Sequence, residues 1–130
     1  MRRARAIGLL GAAYALAGCG ASASDQVQAK LQQFTHAVGA RDAGTLCRQV
    51  LAPGLVAHLT AAGLTCDRAM ETFLASVTDP TMSVSKIRVT GSSASAVVLT
   101  AARGQPAALE GVQLSDTKNG WRLTSLASPR

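Results

Sequence analysis

Aromatic side chains are scarce in this 130-residue chain, which has one Trp, one Tyr and two Phe. Tyr14 lies in an N-terminal apolar run, so Phe34, Phe73 and Trp121 serve the rest of the chain. Three aromatics are too few for a platform on which bases stack, and suit core anchors instead. Runs of like charge are also missing. The basic residues beyond the first five positions, among them Lys30, Arg41, Arg48, Arg68, Lys86, Arg88, Arg103, Lys118 and Arg122, are scattered singly, with nothing that would track a phosphate backbone. Nucleic acid is therefore excluded as an expected partner. There is no Gly-rich phosphate loop, no Gly-x-Ser-x-Gly elbow and no Cys-x-x-Cys pair, so neither a cofactor nor a metal is expected. No apolar run reaches the roughly twenty residues that a spanning helix needs.

The N-terminus does carry a pattern. Arg2, Arg3 and Arg5 precede an apolar stretch from Ala6 to Ala17, the length of a signal-peptide core. Small residues at Ala17 and Gly18 leave the backbone before Cys19 open to a peptidase, and the Cys19 thiol is the nucleophile nearby that can carry a thioether-linked lipid. Leu16-Ala17-Gly18-Cys19 resembles the lipobox of bacterial lipoproteins. That resemblance implies a diacylglyceryl group on the Cys19 sulfur, cleavage between Gly18 and Cys19, and further acylation of the palmitate type. Two chains hold far more firmly than one, at roughly 0.8 kcal/mol per buried methylene. The protein is then expected on the extracytoplasmic face of a cell membrane. An ordinary secretory leader cut at Ala21-Ser22-Ala23 is the alternative. The expected organisation is a signal peptide over 1–18, a lipidated cysteine and tether over 19–24, and a single domain over 25–130.

Without residues 1–18, 112 residues remain, enough for one modest core. Ten basic against seven acidic residues then give a formal charge of +3 instead of the precursor's +6, which weakens any argument from the high pI. Two cysteines are left, Cys47 and Cys66, an even pair in an oxidising compartment. A bridge between them is expected to add roughly 3 kcal/mol in the chain-entropy account. Two buried thiols are the alternative, and ligation of a metal by Cys47, His58 and Cys66 has the wrong spacing.

Val27, Leu31, Phe34 and Val38 recur at intervals of four, three and four, one stripe of a helix over 25–38 with Ser24 or Asp25 as its cap and Gly39 as a left-handed stop. His36 falls on the opposite face, where solvation explains it. Asp42 caps a second helical stretch with Leu46, Cys47, Val50 and Leu51 inward. Pro53 opens a third that Gly63 stops, with His58 at its boundary, and Thr65 caps a fourth from Cys66 to about Val77. After Asp79-Pro80 the chain turns to period-two alternation. Strands are expected over 83–90 (Ile87 and Val89 inward), 94–102, 109–115 (Val112 and Leu114 on one face) and 121–126, with Asn119-Gly120 as a tight hairpin. The class is α+β: N-terminal helices packed on a four-stranded antiparallel curved sheet, cone-like in shape.

Helices followed by such a meander, closing on Asn119-Gly120-Trp121-Arg122-Leu123-Thr124-Ser125-Leu126, are similar to the nuclear transport factor 2-like (cystatin-like) superfamily, which includes small actinobacterial-type lipoproteins. The Cys47 and Cys66 pair also looks like the helical cysteine pair of such proteins. The resemblance implies a cone that is a ligand pocket, an active site or plain core. Ketosteroid isomerase-like and polyketide cyclase-like members place Asp, His or Tyr inside it. Here Asp79, Glu110 and Asp116 are expected at turns or strand ends, and capping and solvation explain Asp42 and His36, so no catalytic residue is assigned. The expected function is a non-enzymatic, lipid-anchored envelope protein that binds a small apolar or amphipathic ligand, or a protein partner, at the membrane surface. An isomerase- or cyclase-like enzyme and an assembly module pairing through the open sheet face are the alternatives.

Overall fold

The computed structural model describes residues 22–125, so Gly18, Cys19 and the segment 1–18 lie outside the described residues. Helix α1 spans Ala23–Gly39 and buries Val27, Leu31 and Val38 from the expected stripe, along with Ala37. It starts two residues before the expected position, because Ser22 rather than Ser24 or Asp25 is the cap, its hydroxyl accepting from the Asp25 N–H at 3.1 Å. Gly39 is not the left-handed stop either. Arg41 takes that conformation, with φ of 56°, and its guanidinium donates to the Leu74 carbonyl at 3.1 Å.

Asp42 caps α2 (Ala43–Thr45) as expected, but α2 is a single turn that widens at once into a π turn over Leu46–Val50. Two constraints beyond Val50 explain the widening. Leu51 bridges Leu123 of the last strand, and the Ala52 N–H donates to the Leu123 carbonyl at 2.8 Å, so the chain must leave the helix there. The Leu51 N–H then reaches back five residues to Leu46 O at 2.9 Å. Pro53 opens α3 (Pro53–Ala61), Gly63 ends it with φ of 83°, and Thr65 caps α4 (Cys66–Ala75). Cys47 and Cys66 form a disulfide with a Cα–Cα distance of 5.9 Å, tying the π turn to the first residue of α4. No helix among the described residues is long and apolar enough to cross a membrane.

Strands β1 (Thr81–Thr90), β2 (Ser93–Ala102), β3 (Gln105–Thr117) and β4 (Gly120–Leu123) form one antiparallel meander in that order. A bulge between Val84 and Lys86 rephases β1: Met82 and Val84 face the helices before it, and Ile87 and Val89 after it. A bulge bends its strand and raises the local twist, which curls the sheet around α1. At the β3–β4 hairpin Thr117 pairs directly with Gly120, so the loop is Lys118-Asn119; Gly120 is left-handed, with φ of 96°, while Asn119 is not, so the hairpin is tight without the expected pair of positive angles at Asn119-Gly120. The core lies between sheet and helices. Its fully buried side chains include Leu31, Leu46, Leu51 and Leu123, each contributing roughly 1.5–3 kcal/mol.

Asp42 offers a test of the second helical segment. Its carboxylate accepts from the Thr45 hydroxyl at 2.7 Å and from the Thr45 N–H at 3.0 Å, and these bonds, the hydroxyl first, hold its pKa below the usual range. A folded pKa below the unfolded one means stability that is present above the ordinary carboxylate range and lost as pH falls through the folded pKa. Asp42→Ala is therefore expected to melt below the wild type at neutral pH, with the gap narrowing in acid. A thermal scan at several pH values checks this, and a gap independent of pH would refute a charge-assisted cap.

Candidate functional site

A cavity of about 520 Å³ opens at one end of the cone. Helix α1 contributes Phe34, Thr35 and Val38; α4 and the chain after it contribute Phe73, Ser76, Val77 and Pro80; the sheet contributes Met82, Thr100, Ala108, Glu110 and Val112 among others. That size lies within the ~300–1,000 Å³ typical of small-molecule sites, and the walls are largely apolar with a few polar groups, as such sites are. The helical part of the wall exists because the stripe on α1 continues past the core: Leu31 is buried completely, whereas Phe34, one turn on, is half-buried and meets the opening.

Glu110 changes the expected picture. It does not sit at a strand end. Strand β3 begins at Gln105, four residues before the expected start, which puts Glu110 in mid-strand opposite Val98. Val98 is fully buried on the helix-facing side, and directly opposed residues share a face, so Glu110 points into the cone with Ala108 and Val112 on either side. Its Oε2 accepts from the Thr100 hydroxyl at 3.2 Å, a side chain that also lines the cavity. Asp79 and Asp116 do lie where expected, exposed, the first in an ion pair with Arg103 and the second near the β3–β4 turn.

The other candidates are elsewhere. His36 is exposed on α1 and does not line this cavity, Asp42 is committed to Thr45, and His58 is exposed on α3. The disulfide is also outside the cavity, although the helix it anchors supplies Phe73 to the wall. Among the described residues, no three His, Cys, Asp or Glu side chains converge as metal ligands would. On another side of the fold, burial and then the charge of Arg122 lower the pKa of Lys30. Lys30 Nζ donates to the Gln49 carbonyl at 2.9 Å and Arg122 to the Arg48 carbonyl at 2.9 Å. These cations satisfy carbonyls at the end of the π turn and so act in the fold.

The chain is similar in structure to a protein from Streptomyces avermitilis described as a proposed dehydratase from the NTF2-like family, at a TM-score of 0.55 and 20% identity over 77% of this chain and 89% of that one. The likeness defines the fold as NTF2-like. No protein-family model matches the sequence, and no curated protein does.

Proposed function

We propose that this is a lipid-anchored protein of the bacterial envelope, held by Cys19 on the extracytoplasmic face of the membrane, whose cone binds a small apolar or amphipathic molecule. The observation that carries the reading is the cavity itself, about 520 Å³ between α1, α4 and the sheet, with Phe34, Val38, Phe73 and Val77 on one wall and a carboxylate on the other. The anchor rests on Arg2, Arg3, Arg5, the apolar run and Leu16-Ala17-Gly18-Cys19. Native mass spectrometry of protein extracted gently from its own envelope, compared with the denatured sample, tests both parts. The expected result is a lipidated chain with an adduct that vanishes on denaturation, and a bare monomer would count against the pocket.

Glu110 supports a second reading, an enzyme in which this carboxylate removes a proton from a bound substrate. An isomerase- or cyclase-like reaction also needs an acid or strong hydrogen-bond donor at the enolate oxygen that proton removal leaves, and the described lining has no histidine, tyrosine or second carboxylate to supply it. Binding is therefore favoured over turnover. Pairing through the outer sheet face has less behind it. Val97, Leu99 and Leu109 are exposed there, but three side chains cover only part of the roughly 800 Å² per partner of a standard interface.

A further inference from the structure

We infer that the ligand of this cavity is a lipophilic amine, an apolar body carrying one ammonium group that pairs with Glu110. The inference rests on the binding reading above and specifies its chemistry. Two independent features of the lining point the same way. First, Glu110 is the only charged side chain among the described residues that line the cavity, and no cation there neutralises it. A carboxylate ligand entering a largely apolar site would meet a like charge, whereas an ammonium would meet its complement.

Second, most of the side-chain donors are already engaged, and the second N–H of the Gln105 amide belongs to an exposed residue. Thr35 donates to the Leu31 carbonyl at 3.0 Å and Ser76 to the Phe73 carbonyl at 2.7 Å. Gln105 Nε2 donates to the Ser76 carbonyl at 2.9 Å, and Thr100 to Glu110 at 3.2 Å. The remaining hydroxyl in the lining, on Thr81, is at the exposed rim. What the interior offers a ligand is lone pairs, above all those of Glu110, of which Thr100 occupies one. A carboxylate has about four acceptor sites, so one Thr bond orients the group and leaves the rest open. A ligand that brings donors satisfies such a wall, and one that brings only acceptors leaves it unsatisfied.

Three probes with one body and different heads separate these cases: 4-phenylbutylamine, 4-phenylbutan-1-ol and 4-phenylbutyrate, titrated calorimetrically into the full chain at neutral pH. The amine is expected to bind at least about tenfold more tightly than the carboxylate, the scale of one charge-assisted hydrogen bond, with the alcohol between them. In Glu110→Gln, which keeps the shape and the acceptor for Thr100, the amine is expected to lose its advantage over the alcohol. Equal or tighter binding of the carboxylate to the wild type overturns the inference, and that comparison needs no variant. So does an amine preference that survives in a folded Glu110→Gln. If alcohol and amine bind equally, the pocket stands and the amine inference fails. If none of the three binds, the inference and the pocket fall together.

Discussion

Cys19→Ala is expected to take the protein out of the membrane fraction and to abolish its labelling by an alkyne-tagged palmitate. The sulfur is the atom on which the proposed diacylglyceryl group is carried, so the substitution removes the anchor and alters nothing in the described domain. The apolar run of Ala6 to Ala17 is too short to replace it, since a spanning helix needs about twenty residues. Unchanged membrane fractionation of the variant would rule the anchor out. The described fold favours one of the two proposed cleavage positions over the other. Cleavage after Ala23 would remove Ser22, whose hydroxyl caps α1, and would start the chain inside the helix. Cleavage before Cys19 leaves that cap in place with three residues ahead of it, Cys19 to Ala21. Whatever their conformation, three residues span at most roughly 10 Å. On this reading the domain is held close against the bilayer, where a lipophilic ligand would be concentrated, and N-terminal sequencing of the secreted Cys19→Ala protein would locate any alternative cut.

Legibility in the sequence tracked how local each determinant is. Asp42, Pro53, Gly63 and Thr65 act within a turn of their own position, and the structure uses each as its chemistry implies. The π turn was not visible, because its cause is the pull of Leu123 on Leu51 and Ala52, more than seventy residues along the chain. The bulge in β1 was missed for a related reason: one extra residue at Ser85 breaks strict alternation, so Met82 and Val84 do not share a parity with Ile87 and Val89. Glu110 is the instructive case. A third strand expected over 109–115 leaves Pro106 outside it and Glu110 at its end. The sheet accommodates Pro106 beside a register irregularity near the β2–β3 hairpin, where a missing N–H costs little. The signal that would have found the carboxylate was present. Glu110 is two residues from Val112 and four from Leu114, and a side chain at that spacing in a strand must share their face.

Loss of the Cys47–Cys66 bond has the largest expected effect on the fold. The disulfide closes a loop across 19 positions of sequence, and the chain-entropy account assigns such a closure roughly 3 kcal/mol, a fall of about 10–15 °C in melting temperature for a domain of this size. Cys47→Ser and Cys66→Ser are each expected to lose that amount, and the double variant no more, since either substitution already breaks the same bond. Additive losses in the double variant would show that the cysteines stabilise the fold separately. The two ends of the bond are not equivalent in what they hold. Cys47 belongs to the π turn, which Leu51, Ala52 and the Arg122 guanidinium also tie to β4. Cys66 is the first residue of α4, which otherwise joins the core through Met70 and Leu74, and through Arg41 at its far end. Reduction therefore frees α4 more than the turn. Because Phe73 on that helix and Ser76 and Val77 directly after it carry part of the cavity wall, ligand retention is expected to fall along with stability when the bond is broken. An α4 that loosens without loss of ligand would mean that the wall is held by the sheet side alone.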